Sequence, residues 1–439
     1  MNVSRFMRGV SAAVLALGLV AGSAVNASAE GFAISTLSAR GGAFGGGPAS
    51  GMVGRADDAS AVAYNPAGLT QIPGTQVMAG LAAVALNLDV ETESGHWMSN
   101  SHQVWPIPHG YLSHQLNDKF WFGVGMFTRW GLGHSYPDNW GAQATQMPTN
   151  LLKSITLLTS TINPTIAYKL NDVWSVAAGV NYTWGYLSLN QQFNAPTMGA
   201  QADIRIHSEN GHAFGYNLAL HAKFNDQWSA GLTYRSHERL KFNGSSRVRG
   251  NALGEMLVLG GGKLGNTRGK ATLVLPDVIT LGAAYKPTDR LSFEADVAYT
   301  VWSRWRSLNV DFFGTNPVTN QPYTGIHQQK NWRDTWAFSL SAEYWMYDWL
   351  ALRAGIMYET SPLNGEAYHD YFIPTNGRIQ ASVGLGMKYE DWTLDFAYIH
   401  MHERETPLID HHDGAFETLK GKFGNGYDHT FCLTLGYKF

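Results

Sequence analysis

The sequence predicts an all-β protein: a transmembrane antiparallel β-barrel of about fourteen strands, with an N-terminal plug (a hatch) inside its lumen. Apolar and polar residues alternate along many segments, because successive side chains of a strand point to opposite faces. Short turns also alternate with long loops, as they do in outer-membrane barrels. Aromatic residues reach 13% and charged residues only 15%, against roughly 25% charged in soluble domains. That composition suits an outer face in contact with lipid.

The first 29 residues have the features of a secretory signal peptide. Arg5 and Arg8 give a basic start, residues 10–21 form an apolar core, and Ala27-Ser28-Ala29 offers a small-x-small cleavage site. The apolar core is too short for a helix that needs roughly 20 residues to cross hydrocarbon. We therefore expect export to the outer membrane of a Gram-negative cell, with a mature chain that starts at Glu30.

Residues 30–72 do not follow the strand pattern. They are small and rich in glycine, then polar, and they close with Asn65, Pro66 and Ala67. A segment with so few large apolar residues cannot build its own core, so it is either a flexible tail or a plug inside the barrel. The Asn-Pro step favours a fixed turn, which a plug requires. The predicted units are thus a signal peptide (1–29), a plug (30–72) and a barrel (73–439).

Residues 73–439 carry the alternation. It is clearest at the C-terminus, where one face holds Phe431, Leu433, Leu435, Tyr437 and Phe439. Similar segments start at Trp174, Phe293, Phe338, Ile379 and Leu394, and their second faces include Glu294, Asp296, Glu343 and Asp395. An unpaired charge in a dry core costs several kcal/mol or more, so these acids require a watery lumen or charged partners.

Short turns separate pairs of these segments. They contain Asn117-Asp118, Asn171-Asp172, Asn225-Asp226, Thr288-Asp289, Tyr347-Asp348 and Glu390-Asp391. Long stretches lie between them, near 133–150, 194–212, 245–268, 313–327, 361–377 and 403–425. Counting strands between the turns gives about fourteen, and a closed barrel leaves no backbone group unpaired in lipid.

With these segments in place, the chain resembles the FadL family of outer-membrane transporters of long-chain fatty acids and hydrocarbons. The resemblance runs from Glu30-Gly31-Phe32 to Phe439. The motifs that carry it are Asp57-Asp58-Ala59-Ser60, Asn65-Pro66-Ala67, Trp130-Gly131-Leu132, Thr233-Tyr234-Arg235-Ser236, Leu275-Pro276-Asp277, Tyr299-Thr300-Val301-Trp302-Ser303 and Arg353-Ala354-Gly355. Each match is short, but together they keep the family's order over the whole length.

The resemblance implies a fourteen-stranded barrel, a hatch that blocks the lumen, and a kinked third strand. The kink would open a gap in the wall through which a ligand leaves sideways into the membrane. Here the third strand is expected from about Lys119 to Trp130, with its irregularity at Gly123 and Gly125, since glycine marks bulges and kinks. The family's third mature residue reaches the ligand pocket, and Phe32 holds that position. Replacing Phe32 with Ala is expected to impair uptake and leave barrel folding intact.

The resemblance also implies two basic residues that pair with a ligand carboxylate. One precedes an aromatic residue at the end of the fifth strand, where this chain has Gln192 before Phe193. The other lies just before the tenth strand, where Lys330 is near but about two residues out of place. Gln192 can hydrogen-bond but cannot neutralise an anion, which favours a neutral hydrocarbon or aromatic substrate.

A stretch near 132–158 is unusually apolar for a loop. Leu132, Trp140, Leu151 and Leu152 are among its large apolar residues, and exposed apolar patches usually mark binding sites. This predicts a platform that captures ligand. The alternative is that some of these residues belong to the fourth strand.

Other chemistry has weaker support. The pair His400 and His402 and the run His411-His412-Asp413 lack a third ligand at defined spacing, so no metal is predicted, and no cofactor either. The net charge of −3 argues against a nucleic-acid partner. The lone Cys432 cannot form an intramolecular disulfide.

Two other classes of function remain open. An outer-membrane hydrolase would need a nucleophile with its base, and no Gly-x-Ser-x-Gly elbow is present, so we expect no enzyme. A general porin or an adhesin would use the same barrel. The expected partners are a hydrophobic small molecule, outer-membrane lipid and lipopolysaccharide, and the barrel-assembly machinery. The expected state is a monomer.

Overall fold

A computed structural model describes residues 33–92, 97–99, 104–137, 149–317, 319–365, 372–405, 421–423 and 426–439. The predicted signal peptide, Phe32, Trp140 and the run His411-His412-Asp413 lie outside these residues. No helix in the described part is long and apolar enough to span a bilayer.

Most of the described chain is β-strand. The strands are β1 (Thr75–Asn87), β2 (Asp89–Thr92), β3 (Trp97–Ser99), β4 (Val104–Gln115), β5 (Phe120–Phe127), β6 (Leu132–Ser135), β7 (Thr149–Lys169), β8 (Trp174–Ala195), β9 (Ala200–Lys223), β10 (Trp228–Arg235), β11 (Glu238–Gly250), β12 (Arg268–Leu275), β13 (Val278–Tyr285), β14 (Leu291–Thr300), β15 (Ser307–Phe312), β16 (Ile326–Gln329), β17 (Thr335–Tyr347), β18 (Leu350–Glu359), β19 (Arg378–Tyr389), β20 (Trp392–Glu403), β21 (Gly421–Phe423) and β22 (Gly426–Lys438).

The strands close into a barrel. β1 pairs with both β4 and β22, all antiparallel, so the first and last crossings meet. The main sheet has nineteen strands in the described chain. Five crossings are each divided in two (β5/β6, β10/β11, β12/β13, β14/β15, β16/β17), which gives a closed fourteen-stranded antiparallel barrel. The predicted fold class is confirmed. β2, β3 and β21 form a separate three-stranded sheet.

The two faces of the wall differ as the alternation predicts. Large apolar side chains such as Phe214, Leu281 and Val383 stand exposed on the outside, where lipid covers them. Aromatic pairs lie at the rim of short turns, including Trp228 on Tyr285 with ring centroids 4.3 Å apart. The second face points into the lumen.

The short turns share one geometry. The side-chain oxygens of Asn117, Asn171 and Asn225 each accept hydrogen bonds from two backbone N–H groups two and three residues on, the Asx turn that asparagine favours. Phe439 N donates to Thr75 O at 2.9 Å, so the barrel begins and ends at this rim. Because outer-membrane barrels have short periplasmic turns and longer extracellular loops, we assign this rim to the periplasm.

Residues 33–72 lie inside the barrel. They contain α1 (Ala39–Ala43), α2 (Ala61–Tyr64) and a 3₁₀ helix (Pro66–Gln71), and most of their side chains are buried. Asn65 fixes the turn before the 3₁₀ helix, since its Oδ1 accepts from Ala67 N at 3.2 Å and its Nδ2 donates to Val53 O at 2.7 Å. This position is the one that a plug requires, and we call the segment the plug below.

One long loop carries a further helix. α3 (Ala252–Gly260) follows β11, and the side chain of its N-cap Asn251 accepts from Gly254 N. Its apolar residues, including Leu253 and Leu257, pack onto buried side chains at the extracellular end of the barrel. The helix therefore covers part of that end.

Candidate functional site

Buried apolar side chains fill the extracellular half of the barrel. They come from the upper parts of many strands and from the loops above them, and we call them the inner apolar cluster. Its large members include Trp130, Leu132, Tyr136, Leu151, Leu152, Ile155, Leu157, Leu189, Phe193, Ile204, Leu240, Phe242, Leu273, Trp302, Trp305, Leu308, Val310, Phe312 and Trp332. A cavity of about 40 Å³ lies among Leu189, Phe242 and Val310. An apolar chamber with little free volume can accept an oily ligand by displacing its own side chains.

Four tryptophans form the centre of the cluster. Trp302 lies edge-on to Trp130, with ring centroids 5.4 Å apart, and edge-on to Trp332 at 5.0 Å. Trp305 contacts Trp332 at 4.4 Å. Such edge-to-face pairs are favourable beyond the area they bury, and they offer both faces and edges to an aromatic or aliphatic ligand.

Four of the predicted ligand residues come together here. Leu132, Leu151, Leu152 and Phe193 are all buried members of the cluster. Leu151 and Leu152 lie on β7, so they belong to the fourth crossing and not to an exposed loop, as the alternative interpretation held. Trp140, which would extend the platform, lies outside the described residues.

Gln192 does not join them. Phe193 and Gln191 face inward and are buried, whereas Gln192 is half-buried on the opposite face, where it pairs with Asp203 of β9. A one-residue shift in a strand moves a side chain to the other face, so the choice of Gln192 as an inward ligand residue was wrong. Gln191 is 6% exposed and its Oε1 has no hydrogen-bond partner in the described chain. Gln191 is therefore the amide that faces the chamber.

Lys330 is in the chamber wall. Its side chain is buried, and its Nζ lies 5.8 Å from the ring centroids of both Trp305 and Phe372. A cation held against aromatic rings is attracted by their faces. The position thus agrees with the predicted site.

The third crossing is interrupted, but not at the predicted glycines. Gly123 and Gly125 lie in unbroken ladders with β4 and β7. The break falls between β5 and β6, at residues 128–131. There Thr128 Oγ1 donates to Thr159 O at 2.9 Å and Thr159 Oγ1 donates to Trp130 O. The predicted place of the irregularity was wrong by several residues.

Gly123 and Gly125 have a different reason to be glycine. A Cβ on Gly123 would lie 2.7 Å from side-chain atoms of both Leu69 and Val62 in the plug, and one on Gly125 would lie 3.0 Å from Val62. These glycines let the plug approach the wall closely.

The break leaves part of the wall without a ladder. β4 pairs with β5 only from Gly110 toward the periplasm, while its residues Val104–His109 keep their partners on β1. In the described ladders, β6 pairs with β7 and not with β4. Pro106 and Pro108 stand in the unpaired stretch, and proline, which has no N–H to donate, is found at strand edges. The wall therefore has a gap between β4 and β6, level with the inner apolar cluster.

The plug touches this gap. Ala33 forms an isolated bridge with Trp130, and Ile34 N donates to Arg129 O at 2.9 Å. Ala33 also packs against the inner apolar cluster. The start of the plug thus contacts both the chamber and the interrupted strand, although Phe32 itself lies outside the described residues.

Below the chamber, charges hold the plug to the wall. Glu343 contacts three guanidinium groups: Arg40 at 3.1 Å, Arg55 at 3.1 Å and Arg353 at 2.7 Å. Glu294 accepts from Gly54 N at 2.5 Å and from Arg55 N at 3.1 Å. Further contacts join Arg55 to Glu294 at 3.3 Å and Arg353 to Asp395 at 2.5 Å. The lumen acids expected to need partners therefore have them, and we call these side chains the Arg–Glu network.

Two plug residues show how strongly these charges interact. Burial alone would lower the pKa of Arg40, but Asp57, Glu343 and Asp58 together raise it well above its ordinary value. Burial raises the pKa of Asp58, which Arg40 only partly offsets. The charged form of Arg40 thus depends on its neighbouring carboxylates.

Arg235 of β10 is a second anchor. Its Nη2 donates to the backbone oxygens of Val62 at 2.6 Å and Ala63 at 2.8 Å, and its Nη1 donates to Asn163 Oδ1 at 3.1 Å. A buried guanidinium so occupied ties α2 of the plug to the wall. Trp121 adds an Nε1–H bond to Ile72 O at 2.8 Å.

Sequence reasoning missed several of these residues. Trp302, Trp305 and Trp332 do not follow the strand period, and Arg235 stood only within a short motif. On β8 the signal was available. The outward, even-numbered residues are apolar up to Trp184, whereas beyond it Leu187 and Leu189 make the inward, odd-numbered face apolar. This inversion marks the height at which the lumen becomes greasy. In the described residues, no three His, Cys, Asp or Glu side chains are grouped to hold a metal.

Solved structures share this architecture. A Pseudomonas aeruginosa FadL homologue superposes with a TM-score of 0.77 at 21% identity, covering 93% of this chain and 99% of that one. The Pseudomonas putida toluene transporter TodX superposes with a TM-score of 0.68 at 18% identity, covering 92% and 99%. At these identities the likeness concerns the fold.

Sequence comparison gives the family. The long-chain fatty acid transport protein of Escherichia coli O6:H1 is 26% identical over 417 residues, which cover 86% of this chain and 89% of that protein. A family model described as outer membrane protein transport protein (OMPP1/FadL/TodX) matches residues 20–439. The chain therefore belongs to the OMPP1/FadL/TodX family of outer-membrane transport proteins.

Proposed function

We propose that this protein carries hydrophobic small molecules, long-chain fatty acids or aliphatic and aromatic hydrocarbons, inward across the outer membrane. The observation that carries the proposal is the inner apolar cluster: a greasy chamber inside a barrel, closed below by a plug and level with a gap in the wall. Relatives named for fatty acid and toluene transport support this substrate class.

Binding follows from the chamber's chemistry. Burying a methylene contributes roughly 0.8 kcal/mol, so a sixteen-carbon chain gains on the order of 10 kcal/mol. Leu132, Leu151, Leu152 and Phe193 supply the apolar contact, and Lys330 is the cation that a carboxylate would reach. Such binding is ample for capture and too strong for quick release.

Release requires the plug to move. The plug acts as a hatch, with Asn65, Pro66 and Ala67 as its fixed turn and Phe32 as the residue that senses ligand. Ala33 beside Trp130 supports this role, because a ligand that displaces Trp130 also disturbs the start of the plug. The same movement frees the segment at 128–131, to which Ile34 is bonded.

Exit is sideways. The gap between β4 and β6 adjoins the chamber, and its β4 edge has two prolines that cannot re-form a ladder. An oily ligand that leaves there enters lipid without crossing the polar Arg–Glu network. A path straight down would require it to pass several buried charges.

Uptake measures the function. In cells that lack other carriers, the wild-type protein is expected to speed the entry of labelled laurate, toluene or both. The Phe32→Ala variant is expected to assemble normally and transport slowly. Entry of neither compound above the empty-vector rate would exclude this substrate class. Rapid transport by the Phe32→Ala variant would exclude Phe32 as the sensor.

A photoactivatable fatty acid tests the exit route. A diazirine at the tail is expected to label chamber residues, and after longer incubation Val104–His109 of β4 and Leu132–Ser135 of β6. Label confined to the periplasmic mouth, where Lys223 and Lys286 stand, would instead indicate a route through the lumen.

The remaining partners follow from location. The exposed aromatic Phe439 ends the last strand, as the barrel-assembly machinery requires, and lipid and lipopolysaccharide surround the wall. A self-closed barrel needs no second copy, so we expect a monomer. A Phe439→Ser variant is expected to accumulate unassembled, as heat-modifiability on gels would reveal.

A further inference from the structure

The outer face of the wall changes character on three adjacent crossings above the lipid-facing band. On β9 the outward side chains Leu218, Tyr216 and Phe214 are apolar and exposed, but Arg205, nearer the long loops, is a cation. β11 and β12 follow suit. The exposed basic residues of these three strands, which we call the outer-wall basic patch, are Arg205, Arg239, Lys241, Arg247, Arg249, Arg268 and Lys270.

The change occurs at one height. Lys241 lies opposite both His212 of β9 and Thr272 of β12 in the ladders. From Trp228 at the periplasmic rim to Arg239 is about eleven residues, which at roughly 3.3 Å each and a barrel tilt span roughly 28 Å. That is close to the roughly 25 Å of an outer-membrane apolar band. The patch therefore begins where the hydrocarbon ends on the extracellular side.

The patch is not neutralised by its own neighbours. Arg205 and Arg247 stand directly opposite each other on paired strands, an arrangement of like charges that is destabilising by itself. Glu209 lies 3.4 Å from Arg268, and Asp311 lies 3.9 Å from Lys270. These pairs are exposed and contribute little. Such a cluster is better explained by an anion outside the chain.

A shallow groove of about 400 Å³ runs between β11 and the start of β12. Arg247, Arg249 and Arg268 line it, together with the hydroxyl groups of Ser245 and Thr267. Guanidinium groups match phosphate oxygens with paired, charge-assisted hydrogen bonds. The groove thus suits a phosphorylated group held at the membrane surface.

We propose that the outer-wall basic patch binds the phosphate groups of lipopolysaccharide in the outer leaflet. The continuity of the patch with the lipid-facing band favours this occupant, since the acyl chains would lie on Phe214 and Leu218 while the phosphates meet the arginines above. The site lies on the outside of the barrel and is separate from the cargo chamber, so it stands whether or not the proposed cargo is correct.

The test compares two triple variants that each remove three exposed positive charges. Arg205→Gln/Arg247→Gln/Arg268→Gln changes the patch. Lys223→Gln/Lys286→Gln/Lys438→Gln changes the periplasmic rim and is the matched control. Purified proteins are mixed with lipid A in detergent, and the bound lipid is counted by native mass spectrometry. Dephosphorylated lipid A and inorganic phosphate are the comparison probes.

Lipid A is expected to bind the wild type and the control equally, and the patch variant on the order of a hundredfold more weakly. Dephosphorylated lipid A and inorganic phosphate are expected to bind poorly to all three. Equal lipid A binding by the patch variant overturns the proposal. So does equal binding of dephosphorylated lipid A, or an inorganic phosphate affinity that matches lipid A. Heat-modifiability of the patch variant confirms that its barrel is folded.

Discussion

The two halves of the lumen are held by opposite physics. The periplasmic half is filled by the plug, whose arginines meet wall carboxylates and whose backbone meets wall side chains. The extracellular half is filled by tryptophans and aliphatic side chains with few polar contacts. Charge pairing is directional and demands one arrangement, whereas apolar contact tolerates many. The lower half therefore closes the barrel, and the upper half can rearrange around a ligand.

This difference gives each half a separate failure. Loss of one carboxylate below leaves buried cations unpaired, which affects closure and stability. Loss of one ring above changes affinity but leaves closure intact. Variants in the two halves can therefore separate the plug's role from the chamber's role.

The largest effect is expected from Glu343→Ala. It leaves Arg40, Arg55 and Arg353 without their shared carboxylate, and breaking a buried pair this way costs about 3–5 kcal/mol. The unfolding temperature falls, and the loosened plug admits a steady ion current in planar bilayers. Asp348→Ala is the control, because Asp348 is a fully exposed acid near Arg290 at the rim. Wild-type conductance and stability in Glu343→Ala would mean that charges do not hold the plug.

Glu343 was found from the sequence, and the reason is physical. An acid on the polar face of an alternating strand must meet water or a cation, so its inward direction could be predicted. Its partners could not, because Arg40 and Arg55 are far away in the chain and the plug has no periodicity. The Asn turns were equally predictable, since each is formed by local hydrogen bonds.

The errors have a common origin. Gln192 was assigned to the chamber on a motif position, but the face of a residue depends on the register of the whole strand, and here Gln191 faces inward. Gly123 and Gly125 were assigned to a kink because glycine is flexible, whereas their space is taken by Leu69 and Val62. In both cases a local signal was read without the tertiary contact that explains it.

The second effect is expected from Trp302→Ala. Trp302 joins the rings of Trp130 and Trp332, and each such contact contributes roughly 0.5–1.5 kcal/mol. Affinity for both laurate and toluene is expected to fall on the order of a hundredfold in a displacement titration, with no change in conductance. Trp336→Ala is the control, since Trp336 is exposed on the outer face. A rise in conductance in Trp302→Ala would show that the two halves are not separable.

A smaller effect is expected from Gly123→Ala. The added methyl group would collide with Leu69 and Val62, and overpacking typically costs about 1–3 kcal/mol. The plug should become more accessible to protease while ligand affinity stays the same. Gly260→Ala is the control, because nothing lies within 4 Å of a Cβ at that position. Unchanged proteolysis would indicate that the plug can yield at this contact.

The smallest effect, and the one that sharpens the chemistry of the chamber, is expected from Lys330→Met. Methionine keeps the length and apolar contact of the stem, so only the charge near Trp305 and Phe372 is removed. Laurate affinity is expected to fall about tenfold, since a hydrogen bond to a charged group contributes roughly 1.5 kcal/mol or more, and toluene affinity is expected to stay unchanged. Lys388→Met is the control, because the Nζ of Lys388 lies 4.1 Å from the ring of Trp345 on the periplasmic side. Equal laurate binding by wild type and Lys330→Met would mean that the chamber recognises its ligand by apolar contact alone, as Gln191 beside Phe193 favours.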